Sequence, residues 1–312
     1  MKNSKSYYSL NDYLKSKFGQ KIYKISLNAG LTCPNRDGTI GTRGCIFCSS
    51  GGSGDFAASS DSTITQQIEQ AKLKVRNKIN KGKYIAYFQA YTNTYGPIEY
   101  LESIFNEAIS NPDIVALSIA TRPDCINMEV LNLIESLNKI KPVWVELGLQ
   151  TVNESTAQYI RRGYQLSCFE DCLKSLQQRR IDVIAHVIIG LPGENKEDLI
   201  RTIQYLGDKN VNGVKLQLLH VLKDTDLAVD YFNGKFEVLS MEQYIDLLML
   251  CIQHLPDNIV IHRLTGDGPK SLLIAPLWSA NKKVVLNSIN AEIKKRNIKQ
   301  GEFYIPNNQN LY

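Results

Sequence analysis

Short apolar runs alternate with longer amphipathic segments along most of the chain. Six of these runs have the length of a β-strand and are apolar nearly throughout, which is typical of strands buried on both faces of a parallel sheet. The predicted strands cover residues 21–28, 84–89, 114–120, 143–149, 183–189 and 214–219. Between them, the helical spacing of apolar residues predicts helices over residues 64–80, 98–110, 129–137, 167–178 and 196–206.

This alternation predicts an α/β fold built as a barrel or a partial barrel, in which the functional residues follow the carboxyl ends of the strands. A further apolar run at residues 259–264 does not continue the pattern, so we interpret it as part of a C-terminal extension. The predicted organisation is a basic N-terminal extension over residues 1–20, a core over residues 21–255, and a C-terminal extension with a basic helix over residues 256–312.

The composition is that of a globular protein, with 312 residues of which 43% are apolar and 21% are charged. No apolar run approaches the ~20 residues of a membrane span. The first residues are basic, but no apolar segment follows them as it would in a secretory signal. We therefore expect a cytoplasmic protein whose seven cysteines are reduced thiols or metal ligands rather than disulfides.

The net charge of +5 is concentrated at the two ends of the chain. Residues 1–24 hold six lysines against one acid, residues 282–300 hold six cations against one acid, and the rest of the chain is net acidic. Such basic ends indicate a polyanionic partner such as RNA, with solvated lysines as the alternative. A helix near the C-terminus would present a compact positive patch made of Lys294, Lys295, Arg296 and Lys299.

Three cysteines lie in one loop directly after the first predicted strand. Cys33, Cys45 and Cys48 have the spacing Cys-x11-Cys-x2-Cys, and the glycines between them allow the loop to curl back. Three thiolates without a fourth ligand suit an iron–sulfur cluster with one open iron, whereas four ligands would close a structural zinc site. The alternatives are a zinc site completed by a distant residue and cysteines that bind no metal.

The cysteine triplet resembles that of the radical S-adenosylmethionine (SAM) superfamily. Its wide first gap is similar to the Elongator catalytic-subunit branch and, more closely, to the bacterial YhcC/YtqA-like subgroup. The same resemblance is carried by Tyr-Phe-Gln-Ala-Tyr-Thr-Asn-Thr-Tyr at residues 87–95, Thr-Arg-Pro-Asp at 121–124, Glu-Leu-Gly-Leu-Gln-Thr at 146–151, Arg-Arg-Gly at 161–163, Gly-Leu-Pro-Gly-Glu at 190–194 and His-Arg-Leu-Thr-Gly-Asp at 262–267.

The resemblance implies a fold, a chemistry and a set of site residues. The fold is the partial (βα)6 TIM-type barrel of the radical SAM core. The chemistry uses a [4Fe-4S] cluster, held by Cys33, Cys45 and Cys48, to cleave SAM and abstract hydrogen from a substrate. The implied SAM contacts are Phe47 (adenine, through its backbone), Thr92 and Asn93 (amino group), Glu146 and Gln150 (ribose), Arg162 (carboxylate), and Ile188 and Leu191 (adenine). The alternative for each contact is an ordinary structural role.

Each of the remaining candidate groups has a structural interpretation. We interpret Cys168, Cys172 and Cys251 as core residues of helices. Cys125, which follows the third predicted strand, is either a packed thiol or a group that faces the substrate. His220 is either a proton carrier or a structural histidine.

The resemblance to the Elongator branch and the basic ends together predict a radical SAM enzyme that modifies the C5 side chain of a wobble uridine in tRNA. Its class is an oxidoreductase, a transferase or a lyase, and its expected partners are tRNA and a reducing electron donor of the flavodoxin or ferredoxin type. We do not expect acetyl transfer, because the acetyltransferase domain that follows the radical domain of the Elongator subunit would not fit in a sequence of this length. The alternatives are radical chemistry on a small metabolite or a protein, and a non-catalytic, metal-stabilised RNA-binding module.

Overall fold

A computed structural model describes residues 6–75 and 82–306 of the chain. All six predicted strands are confirmed, and each begins and ends within one residue of its predicted bounds. The strands are β1 (Ile22–Leu27), β2 (Lys83–Phe88), β3 (Ile114–Thr121), β4 (Val143–Gln150), β5 (Asp182–Ile189), β6 (Gly213–Leu218), β7 (Val221–Leu222), β8 (Val260–Arg263) and β9 (Leu273–Ala275).

The five predicted helices are also confirmed, although the end of the first, residues 76–80, lies outside the described residues. The helices are α1 (Leu10–Phe18), α2 (Ile64–Val75), α3 (Ile98–Ser110), α4 (Met128–Ile140), α5 (Glu154–Tyr159), α6 (Leu166–Gln178), α7 (Lys196–Asp208), α8 (Asp226–Phe232), α9 (Met241–His254) and α10 (Lys282–Lys295). Polar N-caps begin several of them. Asn195 and Asp198 form a reciprocal capping box at the start of α7, in which their side chains accept hydrogen bonds from backbone N–H groups that have no partner within the helix.

Seven strands form one sheet in the order β1-β2-β3-β4-β5-β6-β8. The pairs β1–β2, β2–β3, β3–β4 and β6–β8 are parallel, and this order confirms the predicted α/β class. The interpretation of residues 259–264 as a departure from the pattern was wrong, because β8 extends the sheet beside β6. Its four residues end in the polar His262 and Arg263, and its register shifts opposite Val214 and Lys215, so the apolar run at residues 259–264 is interrupted where the strand ends.

The described chain packs as two compact units. The first comprises residues 14–148 and 163–184, and it contains β1, β2, β3 and most of β4. Leu27, Phe88 and Leu117, from three neighbouring strands, are fully buried in its core. Phe88 packs edge-on against Phe105 of α3, with ring centroids 4.9 Å apart.

The second unit comprises residues up to 13, residues 149–162 and the chain from residue 185 onward. The N-terminal segment is bound within this unit: the backbone carbonyl of Tyr8 accepts a hydrogen bond from Ile261, and the backbone N–H of Tyr8 donates to Gln300. Leu248 and Ile252 of α9 are fully buried. The predicted domain boundaries at residues 20 and 255 stay a prediction. In the described residues, no helix combines the length and the apolar character needed to cross a bilayer.

Candidate functional site

The three cysteines of the triplet are all half-buried in the long loop that follows β1. A tight turn, in which the backbone N–H of Cys48 donates to the carbonyl of Cys45 at 3.1 Å, brings these two residues together. The thiols of Cys45 and Cys48 share a hydrogen bond, and Asn35 Nδ2 lies 3.6 Å from Cys45 Sγ as a second donor. Within the described residues, no three His, Cys, Asp or Glu side chains are close enough to hold a single metal ion.

The surroundings of Cys45 favour its thiolate. The hydrogen bond from Cys48 lowers the pKa of Cys45, and the positive charges of Arg122 and Arg36 lower it further against the opposing effect of burial. The same hydrogen bond raises the pKa of Cys48. Thiolates are the metal-binding form of cysteine, so a loop flanked by two arginines suits a metal or cluster ligand.

Arg36 binds the far end of the cysteine loop through the backbone. Its Nη2 donates to the carbonyls of Cys48, at 3.1 Å, and Ser49, at 2.6 Å. Gly44 lies against the guanidinium with φ +72°, and a Cβ at this position would be only 2.9 Å from Arg36 Nε. Only glycine fits there. Sequence reasoning did not single out Arg36, although it lies inside the cysteine loop.

Arg122 lies at the end of β3, close to the same cysteines. It is 8% exposed and forms a bidentate ion pair with Asp124, with distances of 2.9 Å from Nε and 2.7 Å from Nη2. Gly163, with φ +81°, packs so closely that a Cβ there would lie 2.7 Å from Asn35 Oδ1 and 3.2 Å from Arg122 Nη2. This contact explains the glycine of the Arg-Arg-Gly segment.

Asn93 presents a buried acceptor that lacks a donor. Its side chain is inaccessible, and its Nδ2 donates to the carbonyls of Phe88, at 3.1 Å, and Ala120, at 2.9 Å. These two carbonyls fix the amide orientation, because a flipped amide would turn its oxygen toward them. Asn93 Oδ1 is left with no hydrogen-bond partner among the described residues. A ligand that donates a proton, such as an amino group, fits this position.

Thr92 ties the Asn93 segment to the cysteine loop. It is 2% exposed, and its backbone N–H donates to the carbonyl of Thr32, the residue before Cys33, at 3.2 Å. Phe47, between the paired cysteines, is half-buried. The structure therefore brings Phe47, Thr92 and Asn93 to the part of the first unit that holds the cysteines, and their individual SAM contacts stay predictions.

Glu146 belongs to a buried ion pair. Its Oε1 accepts hydrogen bonds from Lys24 Nζ, at 2.6 Å, and Ser118 Oγ, at 2.5 Å, and the residue is 1% exposed. Lys24 is also held over the ring of Tyr87, with its Nζ 4.5 Å from the centroid. A carboxylate bound in this way has an internal structural role, and a ribose contact by Glu146 stays a prediction.

Four predicted contacts lie in the second unit. Gln150 has φ +67° at the end of β4, and its Oε1 is buried without a hydrogen-bond partner in the described chain. Arg162 is 2% exposed, and its guanidinium donates to the carbonyls of Leu149 and Thr151 and to Glu154. Gln150 therefore presents an acceptor for a ligand, whereas Arg162 has partners within its own segment. Ile188 and Leu191 are both buried.

The other cysteines divide into core residues and one cavity residue. Cys172 and Cys251 are buried, as expected of core residues, and Cys168 is half-buried. Cys125 lines a cavity of about 360 Å³ together with Thr94, Tyr95, Asp124 and Asn127. Burial, and then the charge of Asp124, raise the pKa of Cys125 to about 12, so its thiol keeps a proton at neutral pH.

Comparison with known proteins shows which family the chain resembles. Residues 36–206 match the model of the Radical SAM superfamily, and residues 211–295 match the Radical_SAM C-terminal domain. The chain is 43% identical over 300 residues to protein YtqA of Bacillus subtilis (strain 168), covering 96% of this chain and 93% of that protein.

Two further relatives show how far the similarity extends. The chain is 25% identical over 173 residues to a tRNA uridine(34) acetyltransferase of Methanocaldococcus jannaschii, covering 54% of this chain and 31% of that protein. The solved structure of archaeal Methanocaldococcus infernus Elp3 with an N-terminal deletion aligns with a TM-score of 0.68 at 16% identity, over 89% of this chain and 64% of that chain. The latter likeness concerns the fold, and it confirms the partial barrel.

Proposed function

Because this chain belongs to the radical SAM superfamily, in the YhcC/YtqA-like subgroup related to the Elongator catalytic subunit, we propose that it modifies the C5 side chain of a wobble uridine in tRNA. The observation that carries this proposal is the similarity to a tRNA uridine(34) acetyltransferase. The reaction then takes place in the cytoplasm, with a flavodoxin- or ferredoxin-like protein as the electron donor.

The protein is a radical SAM enzyme whose cofactors are a [4Fe-4S] cluster and SAM. When bound, they supply the one-electron chemistry that removes a hydrogen atom from an unactivated carbon. We propose that Cys33, Cys45 and Cys48 hold the cluster. Asn93 Oδ1 accepts a hydrogen bond from the SAM amino group, and its fixed orientation spares the cost of ordering it on binding.

The surface of α10 supports contact with RNA. Val285, Ile289 and Ile293 are buried on one side of this helix. The opposite side exposes a stripe of hydrogen-bond donors at helical spacing, which we call the Lys/Asn face: Lys283, Asn287, Asn290 and Lys294. Its two lysines are eleven residues apart, about 16 Å along the helix and nearly in line. Ammonium and amide groups in such a row suit the phosphates and sugars of RNA.

The predicted patch of four cations near the C-terminus carries less net positive charge than the sequence suggests, because acidic side chains pair with two of the four. Lys295 and Arg296 bind Glu292, at 3.2 Å and 2.6 Å, and Arg296 also binds Asp246 at 2.6 Å. Lys294 and Lys299, both exposed, have no ion pair within the described chain. The RNA contact is therefore expected from lysines such as Lys283 and Lys294 rather than from Arg296.

The modification is tested by comparing tRNA nucleosides from cells with and without the gene. Deletion should remove one wobble-uridine derivative and leave its precursor, because the C5 side chain is then unprocessed. A gene copy carrying Cys48→Ala should not restore the nucleoside, whereas Cys172→Ala, which alters a buried core cysteine, should restore it. An unchanged set of wobble uridines would overturn the proposal and favour a small metabolite or a protein as the substrate.

Docking is tested separately with the purified enzyme. Replacing Lys283 and Lys294 together by Gln should weaken tRNA binding at moderate salt and make the slope of log affinity against log salt shallower by up to ~0.9 per lost phosphate contact. The matched control replaces Lys139 and Lys196, whose side chains are 74% and 64% exposed on other helices, by Gln. Equal losses in both double variants would show a general charge effect and exclude the Lys/Asn face as the docking surface.

A further inference from the structure

The end of β8 carries a cation that no role described above requires. Arg263 is the last residue of this strand, and the register places it opposite Lys215 of β6, which is 4% exposed. Arg263 is half-buried, and its side chain has no hydrogen bond or ion pair to any described residue. A cation that is partly withdrawn from water and lacks a counter-ion gains more from an anion than a fully solvated cation does. Arg263 is therefore available to bind an anion from outside the described chain.

The acids and bases around Arg263 do not supply that counter-ion. Asp267, four residues further along, is bound by Lys282. His220 is near enough for the charge of Arg263 to lower its pKa, and its Nε2 is 3.1 Å from Ser279 Oγ. The single proton of Ser279 goes to the carbonyl of Pro276, so His220 donates its Nε2–H to Ser279. Neither Asp267 nor His220 therefore offers Arg263 an anion.

The backbone that carries Arg263 is fixed in place. The next carbonyl, that of Leu264, accepts a hydrogen bond of 2.7 Å from the buried hydroxyl of Tyr244. Leu264 and Thr265 are both buried, and Gly268 packs so closely on the His220 ring that a Cβ there would lie 3.1 Å from it. The backbone that positions Arg263 is therefore pre-formed, and binding an anion has to order only the rotamers of the Arg263 side chain.

We propose that Arg263 binds an oxyanion of the substrate, a phosphate or a carboxylate, at the carboxyl end of β8. The planar fork of arginine matches both groups through two parallel hydrogen bonds. In a parallel α/β sheet, substrates are bound at the carboxyl ends of the strands. The inference rests on the proposed function in that an RNA substrate would supply this oxyanion, either from its backbone or from an acidic side chain on the uridine.

The first test measures RNA binding to Arg263→Gln and Arg263→Lys in the cluster-loaded enzyme. Losing the bidentate contact should cost Arg263→Gln roughly ten- to a hundredfold in affinity for tRNA, and Arg263→Lys, which keeps the charge without the fork, should lose less. Iron content and SAM binding should be unchanged. The matched control is Arg201→Gln, which removes an arginine whose side chain is 62% exposed on α7.

The source of the oxyanion is separated by the RNA that is used. If Arg263→Gln binds an unmodified transcript more weakly than the wild type does, with a shallower salt slope, the ligand of Arg263 is a backbone phosphate. If Arg263→Gln binds more weakly only to RNA that carries a carboxymethyl uridine side chain, the ligand is a carboxylate. If the wild type binds both RNAs and Arg263→Gln binds them with the same affinity, an oxyanion of RNA as the ligand of Arg263 is overturned.

A second measurement does not depend on RNA. Inorganic pyrophosphate at constant ionic strength should raise the Tm of the wild type and of Arg201→Gln but not that of Arg263→Gln. If the wild type binds no tRNA but shows this Arg263-dependent stabilisation, the anion site stands and the proposed function fails. If neither tRNA nor pyrophosphate distinguishes Arg263→Gln from the wild type, the anion site is refuted.

Discussion

Arg36 Nη2 donates a hydrogen bond to the backbone carbonyl of Cys48, at 3.1 Å, and so connects the beginning of the cysteine loop to its end. Arg36 follows Cys33 by three residues, and its own backbone N–H donates to the Cys33 carbonyl at 2.8 Å. One residue therefore holds the backbone of two cysteines that are distant in sequence. Its charge also lowers the pKa of Cys45, so Arg36 affects both the geometry and the electrostatics of the loop.

Replacing Arg36 by Gln tests both the geometric and the electrostatic effect. Arg36→Gln should reduce cluster retention, because the carbonyls of Cys48 and Ser49 lose their donor, and should lower the reduction potential, because a positive charge favours the more negative reduced cluster. A single charge at short range is worth on the order of 1–4 kcal/mol, so the potential of this one-electron couple should fall by roughly 40–170 mV. Iron and sulfide content and an EPR-monitored redox titration measure the two effects.

Arg36→Lys is the matched variant, since it keeps the charge but not the planar fork. It should lose cluster retention with a smaller change in potential. Cys48→Ala is the control for complete loss of the cluster. Cys172→Ala is the control for full retention, because this thiol is buried in α6. If Arg36→Gln binds as much iron and sulfide as Cys172→Ala, at the wild-type potential, the role assigned to Arg36 is wrong.

The strands were predictable because each is a run of buried residues. In β2, five of the six residues are buried, and β3 is buried at all but one position, so the sequence shows continuous apolar runs bounded by polar residues. The apolar run that contains β8 was assigned to the C-terminal extension rather than to the sheet, because β8 has four residues and half of them are polar. Its place in the sheet depends on pairing with β6, which is distant in sequence.

Candidate cofactor residues were visible in the sequence only where the chain itself carries the pattern. The spacing of Cys33, Cys45 and Cys48 is visible in the sequence, whereas the contacts of Arg36 depend on how the loop folds back at Gly44. The ion pair between Lys24 and Glu146 joins residues 122 positions apart. No local pattern marks such a partner, so the sequence did not indicate this ion pair, and the ribose contact of Glu146 stays a prediction.

Asn93 provides the sharpest test of SAM binding. If its Oδ1 accepts a hydrogen bond from the SAM amino group, Asn93→Ala should weaken SAM binding by roughly ten- to a hundredfold, the range for a hydrogen bond to a charged group. Equilibrium dialysis of the cluster-loaded protein measures the affinity, and iron content checks that the cluster is intact. Gln150→Ala tests the other buried acceptor without a partner in the same way.

A purely structural role for Asn93 predicts a different result. Its Nδ2 binds two buried carbonyls, so Asn93→Ala will also lower the free energy of unfolding. Thr202→Ala is the control for such a loss, because Thr202 Oγ1 is a buried donor to the carbonyl of Asp198, at 3.1 Å. If Asn93→Ala and Thr202→Ala lower the Tm alike and both bind SAM like the wild type, the SAM contact is excluded.

His220 makes stability depend on pH in a defined window. Burial lowers the pKa of His220 to about 4, the charge of Arg263 adds to this, and the charge of Asp267 opposes it. The unfolded chain binds the proton near pH 6.5, so between pH 6.5 and about 4 the unfolded state holds more protons than the folded one. The free energy of unfolding must therefore fall as the pH is lowered through this window, by up to about 3 kcal/mol from this residue.

His220→Gln should remove this part of the pH dependence. Glutamine has no titrating proton, and its amide N–H is able to donate to Ser279 Oγ as His220 Nε2 does. Urea unfolding of both proteins from pH 7 to pH 4.5, in a phosphate-free buffer so that no oxyanion binds Arg263, measures the difference. Groups common to both proteins cancel, so the stability of the wild type relative to His220→Gln should decrease steadily toward pH 4.5. A constant difference over this range would show that His220 titrates alike in the folded and unfolded chains, contrary to the burial seen in the structure.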